Sequence, residues 1–193
     1  MRYIALTLAA SLAVSACATL PDVPGGTTPT AAAPLTGEVQ IADIVSRMSL
    51  ERKVAQLIQP QINSFTTEDM ERYRFGSYLN GGNGGPYGDE FAPASEWLRL
   101  ADEMYDASVK PLSNGEPAIP VIWGTDAVHG HSNIVGATLF PHNIALGATG
   151  DADLVRRIGH ATAIEIEVTG IDWNFSPTVA VARDDRWGRT YES

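Results

Sequence analysis

Short apolar runs alternate with amphipathic stretches along this chain, and that order constrains the fold more than any other feature. Gly76 to Leu79, Ile119 to Trp123 and Ile171 to Phe175 read as strands. Between them, Pro93 to Lys110 and Asp151 to Val168 carry apolar residues at helical spacing. Strand, helix, strand, helix, strand predicts a parallel β/α arrangement of the α/β class, because neighbouring parallel strands need a long crossover and a helix supplies it. The inward face of the first helix is expected to be Trp97, Leu98, Ala101, Met104 and Tyr105. That of the second is expected to be Leu154, Val155, Ile158, Ala161 and Ile164. Asp151 is expected to cap the second helix and Gly170 to end it.

Upstream, folded structure is expected to begin near Glu38, with Ile41, Ile44, Val45 and Met48 on one helical face. Ser49 is placed to cap a second helix that presents Val54, Leu57 and Ile58 and stops at Pro60. Thr66 or Thr67 caps a short helix carrying Met70 and Tyr73. The glycine-rich stretch Asn80 to Pro86 is followed by no Gly-Lys-Ser/Thr, so it reads as a plain βα loop rather than a phosphate cradle.

The first residues read as a targeting segment. Arg2 precedes a short apolar region, Tyr3 to Ala13, too short to span a bilayer. Val14-Ser15-Ala16-Cys17 then resembles a bacterial lipobox, which predicts a signal peptide over residues 1–16 and a lipid on Cys17. A flexible Pro/Gly/Thr/Ala-rich tether is expected over residues 17–37, with the folded domain over 38–193. A plain signal peptide is the alternative, since Ala16-Cys17-Ala18 also fits the small-x-small cleavage rule. Cys17 is the only cysteine, which excludes an intrachain disulfide and a cysteine metal cluster. A net charge of -10 argues against nucleic acid as a partner, since binding phosphates needs a basic surface.

The second apolar run leads directly into Asp126, His129, Gly130 and His131, the pattern of a buried strand whose C-terminal tip carries a site. A carboxylate there can accept charge-assisted bonds from two neighbouring hydroxyls of a sugar, or it can make an Asx-turn in the loop. His129, His131 and His142 admit a zinc reading, but their spacing is not specific and loop histidines bonded to backbone fit as well. The planar fork of Arg189 suits hydroxyls or Asp126 itself. Arg183 and Arg186 read as structural ion-pair partners of Asp184, Asp185 or Glu192. Trp123 and Trp187 read as packed aromatics.

Two segments resemble the N-terminal domain of glycoside hydrolase family 3. One is Trp123-Gly124-Thr125-Asp126-Ala127-Val128-His129-Gly130-His131, continuing through Gly136 to Thr149. The other is Ala182-Arg183-Asp184-Asp185-Arg186-Trp187-Gly188-Arg189-Thr190-Tyr191-Glu192-Ser193. The resemblance implies a (β/α)8 TIM-like barrel of which this chain holds the front half. A closed barrel takes about 250 residues, and about 155 structured residues hold three or four units. It also implies hydrolysis of β-glucosides or β-linked oligosaccharides with retention, releasing terminal glucose without a metal or cofactor. Asp126 and Arg189 then hold the non-reducing sugar. The family's nucleophilic aspartate, its acid/base and its Lys-His pair belong to motifs not found in this chain. No catalytic residue is therefore expected within it, and the reading frame is expected to be truncated. An exported, periplasmic protein anchored to the outer membrane through Cys17 is the expected setting. A non-catalytic sugar-binding lipoprotein and a small zinc hydrolase are the rival readings.

Overall fold

The computed structural model describes residues 36–82 and 84–193. The expected signal peptide, Cys17 and most of the tether lie outside the described residues. Thr36 and Gly37, the end of the expected tether, belong instead to helix α1 (Thr36–Ser46), and Glu38 sits in its first turn. Helix α2 (Leu50–Ala55) starts as expected, the Ser49 side chain accepting from the Arg52 N–H. It ends before Pro60, and Leu57 is 86% exposed, with Val54 and Ile58 also outside the core. Polar backbone contacts, not apolar periodicity, decide which side faces in. The Arg52 guanidinium donates to the carbonyls of Tyr73 and Arg74. The Gly76 N–H reaches the Ala55 carbonyl at 3.0 Å. That approach needs glycine, because a Cβ at Gly76 would lie 2.2 Å from the Gln56 carbonyl oxygen.

Helix α3 (Thr67–Tyr73) opens on a full capping box: the Thr66 side chain takes the Asp69 N–H and the Asp69 carboxylate takes the Thr66 N–H. Strand β1 (Ser77–Asn80) follows, then helix α4 (Ala94–Val109), strand β2 (Ile122–Thr125), helix α5 (Asn143–Ala148), helix α6 (Ala152–Glu167) and strand β3 (Trp173–Asn174). The sheet is parallel throughout in the order β1-β2-β3, as the alternation predicts. Strand β2 starts later than expected, since its register against β1 runs Ser77↔Ile122 to Asn80↔Thr125 and leaves Ile119 to Val121 outside the ladder. Helix α5 was not legible, because six residues are too few to display a helical period.

Trp97 of α4 is fully buried and stacks on Trp123 of β2 at 5.7 Å between ring centroids. Leu100, Met104 and Ala107 continue that face at i+3, i+7 and i+10, while Leu98 and Tyr105 point outward. Two apolar stripes interleave on α4, and the Trp97–Trp123 stack selects the one carrying Trp97. On α6 the buried positions are Thr162 and Ile166, with Val155 and Ile164 exposed. Asp151 caps α6 by accepting from the Leu154 N–H at 2.9 Å, and Gly170 ends the connection at φ +74. There a Cβ would lie 2.6 Å from that of Ala101.

Candidate functional site

The C-terminal tips of the three parallel strands converge on one cavity. It encloses about 540 Å³, and Asp126, His129, Asn133, Phe175, Arg189 and Glu192 are among its lining residues. A larger cavity, about 740 Å³, lies elsewhere, between α4 and the starts of β2 and β3, with Leu98, Tyr105, Ile122 and Trp173 on its walls. Its charged groups are Asp102 and Asp172, and Asp172 is already bonded to the Trp123 N–H at 3.2 Å. Parallel β/α folds place their chemistry at the C-terminal ends of the strands, and the smaller, more polar cavity meets that rule.

Asp126 follows the last residue of β2, and β3 fixes the backbone on both sides of it. The Phe175 N–H bonds the Thr125 carbonyl at 2.9 Å. Asn174 accepts from the Ala127 N–H at 3.1 Å and donates to the Ala127 carbonyl at 3.4 Å. Beneath, the Trp123 indole donates to Asn80 at 3.0 Å and the Asn80 amide donates to Thr125 at 2.9 Å, so the tips of β1 and β2 are tied by buried, satisfied polar groups. The Asp126 carboxylate itself is exposed to the cavity. The sequence reading missed Asn174. Its signal was a polar residue at the C-terminal end of an otherwise apolar strand.

The loop after Asp126 is braced at several points. His129 exchanges contacts with Phe140, ring Nδ1 to carbonyl at 2.9 Å and backbone carbonyl to N–H at 2.8 Å. Gly130 sits at φ +103 with its Cα against the Thr138 carbonyl oxygen, which a Cβ would approach to 2.1 Å. The Glu165 carboxylate of α6 takes the Thr138 N–H at 3.0 Å. The His142 ring lies tilted against that of His129 at 4.1 Å and edges onto Tyr191 at 4.8 Å. The Asn143 amide donates to the Glu192 carbonyl at 3.0 Å, holding the arginine segment over the loop. Among the described residues, no group of three or more His, Cys, Asp or Glu side chains is placed to share a metal ion.

His131 is fully buried and bonds Thr169 through Nε2 at 3.1 Å, while Nδ1 has no partner. The Thr169 hydroxyl donates to the Ile166 carbonyl at 2.6 Å, so it accepts from His131 Nε2–H. Protonation would place an N–H at Nδ1 with nothing to receive it. Burial accordingly holds the His131 pKa below its ordinary value of 6.5, with Glu165 opposing weakly. A base with a depressed folded-state pKa stabilises the fold above the unfolded pKa, and that stability is lost as pH falls. The urea midpoint is expected to drop below about pH 6.5. A His131→Gln variant should show a flatter profile over that range. Parallel profiles for the two proteins would contradict this origin.

Arg189 lies on the same cavity as Asp126. Its Nε donates to Glu192 at 2.8 Å and Nη2 to the other carboxylate oxygen. Arg186 pairs with Asp184, one of its expected partners, whereas Glu192 serves Arg189 instead of Arg183 or Arg186. The fork holds the Glu192 carboxyl below the usual carboxylate range, and Arg189 in turn is raised, first by Glu192 and further by the charge of Asp126. The hydrogen bonds from Arg186 bring Asp184 down to about 2. Trp123 is packed in the core, as expected.

Comparison with known proteins places this geometry in a family. Residues 49–193 match the glycosyl hydrolase family 3 N-terminal domain. The lysosomal beta glucosidase of Dictyostelium discoideum is 30% identical over 79% of this chain and 20% of its own length. The periplasmic beta-glucosidase of Salmonella typhimurium is 28% identical over 82% of this chain and 19% of its own. The crystal structure of an exo-1,3/1,4-beta-glucanase from a Pseudoalteromonas species superposes with a TM-score of 0.74 at 60% identity, covering 81% of this chain and 19% of that one. The chain thus spans about a fifth of the length of these relatives. On the match across most of its described residues, this chain belongs to glycosyl hydrolase family 3.

Proposed function

We propose that this chain forms the front part of a (β/α)8 barrel and supplies half of the glucose-binding site of a β-glucosidase-type hydrolase. The observation that carries the reading is Asp126. It stands at the tip of β2, with its backbone fixed by β3, on a cavity shared with Arg189. The carboxylate offers acceptors to two adjacent hydroxyls. The Glu192 contacts use Nε and Nη2 of Arg189, so Nη1 is left to donate to the same sugar or to Asp126. Glu192 orients the fork in advance, which lowers the cost of ordering it around substrate.

The substrate in this reading is a β-glucoside or β-linked oligosaccharide, cut with retention at the non-reducing end. Retention requires a nucleophile and an acid/base about 5–5.5 Å apart. In the whole protein these come from residues other than Asp126 and Arg189, whose part is to position the ring. No metal or organic cofactor enters the scheme. Export to the periplasm is in keeping with the periplasmic relative; in this reading residues 1–16 act as the signal peptide and a lipid on Cys17 holds the enzyme at the outer membrane.

Arg189→Lys tests the site. A lysine keeps the charge and loses the fork, and with it the two-point contact to Glu192. In the whole enzyme kcat/KM on an aryl β-glucoside is expected to fall about tenfold or more. Wild-type kcat/KM in this variant would remove Arg189 from the site.

A further inference from the structure

We infer that Gly124 is a positioning residue for the strand-tip cavity. Having no side chain, it lets the Phe175 ring lie against β2, and so it sets the room left beside Asp126. This rests on the reading that the cavity holds the terminal glucose.

Gly124 is buried in β2, two residues before Asp126, and pairs in register with Trp173 of β3. Residues i and i+2 of a strand share a face, so Trp173 and Phe175 stand together on the face where Gly124 presents nothing. Their rings meet edge-on, 4.8 Å between centroids. A Cβ on Gly124 would lie 2.4 Å from both Cε1 and Cζ of Phe175, and 3.2 Å from Cε3 of Trp173. The φ of Gly124 is not positive, so space and not backbone conformation is what requires glycine here.

The strands cannot part to admit a side chain. The Asp172 N–H donates to the Trp123 carbonyl at 3.1 Å and the Phe175 N–H to the Thr125 carbonyl at 2.9 Å, one on each side of Gly124. Asn174 holds the Ala127 N–H at 3.1 Å just beyond. A methyl group at position 124 is therefore relieved by turning the Phe175 ring off β2. Phe175 is also a wall of the Asp126 cavity, which Arg189 shares. Moving that wall changes the space in which a sugar must meet both residues, and a misplacement of about 1 Å in such a site can cost about a hundredfold.

The test reads competitive inhibition by glucose in the whole enzyme. Gly124→Ala is expected to raise the inhibition constant, and KM for an aryl β-glucoside with it, about tenfold or more. Phe175→Leu lacks Cε1 and Cζ, the atoms in the way. In that background Gly124→Ala is expected to leave the inhibition constant unchanged, as a coupled pair requires. The constant does not depend on how much enzyme is folded, so loss of yield does not move it. A merely structural glycine would lower the melting temperature of Gly124→Ala and leave glucose binding at the wild-type value, which would overturn the inference. A weakened binding that persists equally in the Phe175→Leu background would overturn it too. Asp126→Ala keeps the two readings apart. Weaker glucose inhibition in that variant supports the cavity as the glucose site whatever Gly124→Ala does, whereas unchanged inhibition overturns the cavity and the role of Gly124 together.

Discussion

Asp126→Ala is expected to lower kcat/KM of the whole enzyme on a β-glucoside by about one to two decades, or more, while leaving its stability nearly unchanged. Two features combine to give this split. Charge-assisted bonds to two hydroxyls are worth about 1.5–3 kcal/mol, and each 1.4 kcal/mol is about tenfold in rate. Bonds that tighten in the transition state add to that loss. On the stability side, the carboxylate is exposed and the backbone around it is fixed by Asn174 and Phe175 rather than by its own side chain. Surface substitutions of that kind shift stability by about 0.5 kcal/mol or less. The melting temperature and kcat/KM of the variant, measured on the same preparation, check both halves. A large drop in melting temperature would mean that Asp126 is a structural loop residue.

The 193-residue chain on its own is expected to release no aglycone from an aryl β-glucoside. The carboxylates lining its cavity are Asp126 and Glu192. A retaining glycosidase keeps one carboxyl protonated as the acid, which needs a raised pKa. Glu192 is moved the other way by the Arg189 fork, so it stays ionised and its oxygens are occupied. In the proposed site Asp126 is taken up by hydroxyls of the sugar. Neither carboxylate on this cavity is thus placed to serve as the protonated acid. Turnover above a heat-inactivated control, in protein free of host glucosidase, would contradict this.

The parallel β/α order and the cavity at the strand tips were legible in the sequence because both follow from periodicity and from the place where an apolar run stops. The capping residues Ser49, Thr66 and Asp151 were legible for the same local reason: each side chain satisfies an N–H of the turn it begins. Helix faces were less so. On α4, Leu98 and Tyr105 belong to an apolar stripe as plausible as that of Leu100 and Ala107, and only the long-range stack of Trp97 on Trp123 decides between them. On α2, a buried arginine overrode the apolar pattern, which no local rule anticipates. In the site, Asp126 and Arg189 were found from their motifs. The partner of Arg189 was not, because Arg183, Arg186 and Arg189 lie within ten residues of Asp184, Asp185 and Glu192, and sequence proximity leaves several pairings open. Asn174 escaped because its role is set by register, Thr125↔Asn174, which exists only once β2 and β3 pair.

The central claim is that Asp126 and Arg189 hold one sugar ring at the tips of the parallel strands. A crystal structure of the whole enzyme with glucose bound tests it most directly. The expected result is a pyranose in the Asp126 cavity, two of its hydroxyl oxygens about 2.5–2.7 Å from the Asp126 carboxylate, and an Arg189 nitrogen within hydrogen-bond reach. A glucose seated elsewhere, with Asp126 facing only water, would contradict it.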